Sequence, residues 1–200
     1  MAGAGKHALV VGGTGMLRGL VLHLVSRGFI VTVIARDAAR LAALAKEAET
    51  RGGAVVPIAQ DYVDDEALHE ALTEAIAARG PFTLAVLWLR PGAPHALDTI
   101  ARCADAGGGE AAAHRCRFFR ILGSAAADPA LVRRGKGERF RAMEGLAYRE
   151  IILGFRIEGD KARWNTNEEI ASGVIEAVEK DLHDHVIGVV RPWEMRPSTR

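Results

Sequence analysis

Leu9-Val10-Val11-Gly12-Gly13-Thr14-Gly15-Met16-Leu17-Arg18-Gly19 lies near the amino end of the 200-residue chain, between a short β-patterned apolar run and an amphipathic helical pattern. The run covers residues 7–11, and the helix keeps Met16, Leu17, Leu20, Val21, Leu24 and Val25 on one face until Gly28 ends it. This alternation recurs along the chain. Further strand patterns occupy residues 29–34, 54–58, 82–88, 117–122, 151–155 and 186–190, most of them separated by helical stretches. Asp37 and a residue near Asp64 open the second and third helices, which stop at Gly52-Gly53 and Gly80-Pro81. A fourth helix runs from about Pro94, Gly107-Gly108-Gly109 reads as a turn, and Thr166-x-x-Glu169 is a capping box that opens the last helix.

Strand alternating with helix along most of the chain predicts an α/β fold: a doubly wound, mostly parallel sheet with helices on both faces. No repeat or linker interrupts it, so residues 1–200 are expected to form one domain of the NAD(P)-binding Rossmann type. Composition narrows the function. The formal charge is +1, with 26 Lys+Arg against 25 Asp+Glu, which gives no field to hold a polyanion, so no nucleic-acid partner is expected. The apolar stretches, such as residues 29–35, are too short for a membrane span. The run behind Lys6 dissolves into glycine with no cleavage site, so the chain is expected to start inside its fold and to act in the cytoplasm. Cys103 and Cys116, even with His114, make neither a disulfide framework nor a metal site.

The glycine loop carries the chemistry. Gly12 takes the tight turn after the first strand, and Gly15 lets the backbone approach a pyrophosphate lying on the amino end of the first helix. A dinucleotide is the natural ligand of such a loop. Gly12-Gly13-Thr14-Gly15-Met16-Leu17, followed by Arg27-Gly28-Phe29-Ile30-Val31-Thr32-Val33-Ile34-Ala35-Arg36, resembles the short-chain dehydrogenase/reductase superfamily, in particular its atypical and extended members with a Gly-x-x-Gly-x-x-Gly loop. Arg18 replaces the third glycine, so either the helix shifts slightly or Arg18 points toward the cofactor. The resemblance implies cofactor contacts from Gly12, Gly13, Thr14, Gly15, Met16, Leu17 and Arg18, and a sheet order like 3-2-1-4-5-6-7.

At the end of the second strand an NAD-selective site carries a carboxylate for the ribose 2′-OH, whereas a 2′-phosphate needs a cation. Ala35 and Arg36 stand there, which favours NADP over NAD, while Asp37 caps its helix. Asp61, closing the third strand, is the acid that superfamily members place near the adenine; a plain turn carboxylate reads the same way.

The catalytic motifs of the superfamily are largely missing. Trp88-Leu89-Arg90-Pro91-Gly92-Ala93-Pro94 replaces the Asn-Asn-Ala-Gly stretch, and Tyr148 is followed by isoleucine where the Tyr-x-x-x-Lys motif has its lysine. Ser124 keeps the place of the superfamily serine, where it either holds a substrate carbonyl or is a loop serine at a strand end. His95 stands at the strand-end rim, as a catalytic acid or as an exposed helix-opening residue. Residues 128–146 read as partly helical or as a loop rich in Arg133, Arg134, Lys136, Arg139 and Arg141. Only a short interval, 156–164, precedes the last helix, and Trp164 and Trp193 either wall a site or pack the sheet edge.

These residues predict an NADP(H)-dependent oxidoreductase that passes hydride between nicotinamide and a small acceptor without a Tyr/Lys proton relay. Quinonoid compounds and flavins suit that chemistry, and small flavin reductases of the superfamily have a similar length and a similar second strand. The alternative is a non-catalytic NADP(H)-binding sensor. Relatives are often homo-oligomers, but no segment identifies an interface here.

Overall fold

The computed structural model describes residues 6–90, 93, 95–107, 115–128, 130 and 137–198. Pro91, Gly92, Pro94, Gly108, Gly109, His114, Pro129, Arg133, Arg134 and Lys136 lie outside the described residues, so the expectations placed on them have no structural counterpart.

The glycine-loop unit folds as its pattern predicts. Strand β1 (His7–Val11) is buried along its whole length and leads through the loop into α1 (Arg18–Ser26). The chain continues as β2 (Ile30–Ala35), α2 (Ala38–Thr50), β3 (Ala54–Ala59), α3 (Asp65–Arg79), β4 (Leu84–Trp88), α4 (Ala96–Ala106) and β5 (Cys116–Leu122). A 3-10 turn (Ser124–Ala127) and a one-turn helix α5 (Glu138–Arg141) precede β6 (Leu146–Leu153), β7 (Phe155–Glu158), β8 (Lys161–Trp164), α6 (Asn167–Glu179) and β9 (Asp184–Ile187). Among the described residues, seven strands form one sheet in the order β3-β2-β1-β4-β5-β6-β9, every pair parallel. This is the doubly wound order, with its switch point between β1 and β4.

Local chemistry places the helix ends. Asp37 and Asp64 accept the amides of Arg40 and Ala67 at 3.0 and 3.2 Å, and Thr166 and Glu169 form the reciprocal capping box of α6. Gly28 takes φ +80° after α1, a conformation that costs glycine nothing. Apolar side chains of α1, α2 and α6 fill one face of the sheet and those of α3 and α4 the other, giving two cores separated by the strands.

Three stretches depart from expectation. Strand β6 begins at Leu146, not 151, and absorbs Tyr148, Arg149 and Glu150. Partners inside the fold offset the cost of burying them: the Tyr148 hydroxyl donates to Glu150 at 2.8 Å and Arg149 donates to Asp181 at 2.8 Å. Within the expected helical stretch 128–146, the described residues form an α-helix only at α5. The interval 156–164 is covered by the antiparallel hairpin β7–β8, whose alternation is too short to stand out in the sequence. The last strand ends at Ile187 because Gly188, at φ +82°, turns the chain.

His7 is the polar group buried most deeply in β1. Its Nδ1 lies 2.8 Å from the Gly80 carbonyl, which can only accept, so Nδ1 carries the proton and Nε2 accepts from the Thr32 hydroxyl at 2.8 Å. Burial pushes the imidazole below its usual 6.5, against the Gly80 hydrogen bond and with help from the Arg79 charge. A depressed histidine favours the neutral native state. The unfolded chain therefore takes up the proton first as pH falls through 6.5, and stability declines from there toward the folded-state value. Thermal melts at pH about 7.5 and about 5.5, either side of the free imidazole's range, should show a larger loss for the wild-type chain than for His7→Gln; equal losses would contradict this.

Candidate functional site

Three strand ends meet at the switch point. Gly12 adopts φ +91° at the end of β1, and a Cβ there would stand 3.3 Å from Cβ of Trp88, the last residue of β4. Gly13 is the glycine that lets helix approach strand: a Cβ on it would come within 2.8 Å of Val33 and 2.9 Å of Val21. Gly19 packs on α6, where a Cβ would lie 3.0 Å from Ala171. The close packing expected of a third glycine is thus supplied by Gly13 and Gly19. Arg18 forms an ion pair with Glu47 of α2.

Beyond Gly12 opens a cavity of about 480 Å³ lined by Gly12, Thr14, Ile34, Ala35, Arg36, Asp37, Arg40, Tyr62 and Trp88, a volume suited to a small-molecule site. Of the expected cofactor residues, the cavity brings together Gly12, Thr14 and Arg36. Gly15 faces open space beside it, since a Cβ there would meet nothing within 4 Å, while Gly13, Met16 and Leu17 support the loop from behind. Asp61 stands behind the lining. Its carboxylate accepts both 2.9 and 2.7 Å bonds from Arg90, whose guanidinium lies over Tyr62 of the cavity wall. Desolvation works against the Asp61 charge, but the Val63 amide, Arg90 and Arg36 outweigh it and hold the carboxyl below its usual range.

The rim beside β2 is cationic. Arg36 makes no ion pair among the described residues, and Arg40 sits one helical turn further on. Asp37 is occupied: its carboxylate caps the Arg40 amide and lies 3.3 Å from Arg40 Nε. Arg40 is absent from the expected set, although its i+4 spacing from Arg36 on the first turn of α2 points to it.

A dinucleotide fits the loop. Among the described residues the amides of Thr14 and Met16 meet no acceptor, whereas Gly15 and Leu17 donate to Gly12 at 3.3 and 3.4 Å. Free amides ahead of a helix N-terminus suit a pyrophosphate.

On the far side of Trp88 the site changes character. A Cβ on Gly123 would sit 3.9 Å from Trp88 Cη2, so the indole spans from the glycine loop to the turn after β5. Ser124 begins that turn and is 5% exposed; its Oγ accepts from Arg196 Nε at 2.8 Å. The Arg196 guanidinium lies over the rings of both Trp164 and Trp193, at 5.0 and 5.2 Å from their centroids. The tryptophans therefore contact a cation, a role that the sequence pattern does not reveal. His95 is exposed at the start of α4, its side chain makes no cap hydrogen bond, and it has no hydrogen bond to Ser124 among the described residues. Tyr148 lies inside β6, where burial first, and then the Glu150 charge, raise its pKa. No cluster of three or more metal-ligating side chains occurs among the described residues, and no helix there is long and apolar enough to cross a membrane.

Compared by sequence, the chain matches no family model and no curated protein. Compared by structure, it is similar to a short-chain type dehydrogenase/reductase from Mycobacterium marinum, with TM-score 0.74, 16% identity and coverage of 94% of this chain and 96% of that one. A short-chain dehydrogenase/reductase from Serratia marcescens aligns with TM-score 0.69 and 20% identity over 92% of this chain and 96% of its own. A metagenomic short-chain oxidoreductase in complex with NADP aligns with TM-score 0.66 and 18% identity over 92% and 97%. The chain has the Rossmann fold of the short-chain dehydrogenases/reductases. At these identities the likeness is one of fold.

Proposed function

We propose that the protein is an NADP(H)-dependent oxidoreductase of the short-chain dehydrogenase/reductase type that acts on a small acceptor without a Tyr/Lys proton relay. The observation that carries this reading is the cavity in which Gly12 and Thr14 face Arg36 and Arg40, with Ala35 where an NAD-selective site would hold a carboxylate. The amides of Thr14 and Met16 hold the pyrophosphate. Arg36 clamps the 2′-phosphate, assisted by Arg40, and Tyr62 borders the same cavity. Gly13, Gly15, Met16, Leu17 and Asp61 shape the loop and its support, and Arg18 steadies α1 against α2.

Bound NADPH supplies a hydride at nicotinamide C4. The chain's own part is to orient the acceptor and provide hydrogen bonds. Ser124 suits the first task, because Arg196 donates to its oxygen and leaves the hydroxyl proton to donate to a substrate carbonyl. Tyr148 has no such part: its proton is committed to Glu150 in a buried strand. Solvent then delivers the proton, which suits quinonoid and flavin acceptors, and exposed His95 is a lesser candidate for the same task.

Steady-state NADPH oxidation against a panel of quinones, flavins and small carbonyls tests the reading. Turnover with at least one acceptor, faster with NADPH than with NADH, is expected. Tight NADPH binding with no turnover across the panel would replace the enzyme by a nucleotide sensor, a reading that the enclosed Ser124 favours.

A further inference from the structure

The carboxyl-terminal segment is built onto the substrate side of the sheet. Phe155 and Val189 exchange two backbone hydrogen bonds of 2.8 Å, and Asn165 Nδ2 donates to the carbonyls of Gly154 and Ile187 at 2.9 and 3.1 Å. This crossing leads residues 190–196 over the ends of β5 and β6 and delivers Arg196 to Ser124. Ligands of open α/β sheets bind outside these same carboxyl ends.

Arg196 is held by three side chains. Its guanidinium lies over two indole rings and its Nε donates to Ser124, whereas Nη1 and Nη2 meet no acceptor, and no carboxylate pairs with the guanidinium, among the described residues. Arg163 and Arg156 of the β7–β8 hairpin are not left this way. Arg163 donates to both Glu169 oxygens at 2.8 and 3.0 Å and also reaches Glu158, and Arg156 lies 3.5 Å from Glu169. The Arg163 hydrogen bonds, followed by the Thr166 amide, pull the Glu169 carboxyl down to about 2, so that carboxylate stays committed. A partly enclosed guanidinium without a counter-ion, oriented but with two parallel N–H donors open, is matched by a planar two-oxygen anion.

We propose that Arg196 is the specificity-determining residue for a carboxylate on the substrate, which it binds through Nη1 and Nη2 beside the Ser124 hydroxyl. The substrate class is then a small carbonyl or quinonoid acceptor that also carries a carboxylate. A phosphate fits less well, because Arg163 and Arg156, which would share its charge, are taken by Glu169 and Glu158. The proposal rests on the oxidoreductase reading, since it takes the Ser124 region as the substrate side of the cofactor site.

Calorimetric titration of the full chain, with and without saturating NADP⁺, provides the test, using acetate, pyruvate, benzoate and phenylglyoxylate as probes and their amides as uncharged controls. At least one carboxylate should bind about tenfold or more tightly than its amide, the difference expected when a charged hydrogen-bond pair is lost. Arg196→Gln should abolish that preference and Arg196→Lys should restore part of it, with NADP⁺ affinity within about twofold of wild type in both, the range left by losing no charged contact to the cofactor. Circular dichroism and Tm would confirm that both variants fold. The proposal is overturned if no carboxylate is preferred over its amide, if Arg196→Gln keeps the preference, or if Arg196→Gln alone increases NADPH turnover, which would make the segment a strap that blocks the site. Absence of NADP⁺ binding would instead strike the oxidoreductase reading, so the two failures are distinct.

Discussion

Arg36→Ala is expected to weaken NADPH binding about tenfold and Arg36→Ala/Arg40→Ala roughly a hundredfold, with NADH binding within about twofold of wild type, because each lost cation removes charge-assisted hydrogen bonds to the 2′-phosphate only. Arg36 is exposed and has no ion pair among the described residues, so its removal leaves no buried charge stranded. Arg40 contributes less alone because it already lies beside Asp37. Both effects should shrink as salt is raised, since the cations sit at an open rim where a Debye length of about 8 Å at physiological ionic strength screens them. Fluorescence titration of each variant with NADPH and NADH checks this. Equal losses for the two cofactors would remove Arg36 from the phosphate clamp.

Gly154→Ala should produce the largest loss of stability. A methyl there would stand 2.8 Å from the carbonyl carbon of Val189, closer still to its oxygen, and 3.1 Å from the Ile187 oxygen. Across the same crossing, a Cβ on Gly188 would stand 2.5 Å from the Phe155 oxygen, and its φ of +82° already excludes most side chains. Both obstacles are backbone, so no rotamer change relieves them. Overpacking costs typically about 1–3 kcal/mol, and about 3 kcal/mol is expected here because the Phe155–Val189 pair must part. In a chain of this length that corresponds to a Tm lower by roughly 6–12 °C. The variant should also release Arg196 from Ser124, so tryptophan fluorescence from Trp164 and Trp193 should change with the melt. An unchanged Tm would show that the crossing is not as tight as described.

These two predictions mark what is legible in the sequence. The placement of Ala35 and Arg36 at the cavity is readable because it depends only on where β2 ends: one strand, one turn, one position. The same holds for the caps at Asp37, Asp64 and Thr166 and for the parallel α/β layering, which follows from strands that alternate with helices, whereas the sheet order comes from the family resemblance. Residues made functional by distant chain are not readable. Arg196 meets Ser124 across 72 positions, and the glycines that permit the meeting, Gly154 and Gly188, look like ordinary punctuation within apolar runs. The early start of β6 is hidden because Tyr148, Arg149 and Glu150 break the apolar pattern that marks a buried strand. Their partners Asp181 and Arg120 come from outside that strand, so the compensation is invisible locally. Trp88 falls between: its position at the end of β4 is a visible departure from the family pattern, yet its reach from Gly12 to Gly123 emerges only when the strand ends are brought side by side.

The proposed dinucleotide cradle at Gly12–Leu17 underlies every functional step above. Calorimetric titration of the purified chain with NADP⁺ and NADPH addresses it most directly. Saturable heat from both forms, with higher affinity than for NAD⁺ and NADH and reduced by Arg36→Ala, is the predicted result; no heat with any oxidised or reduced pyridine nucleotide would contradict the account.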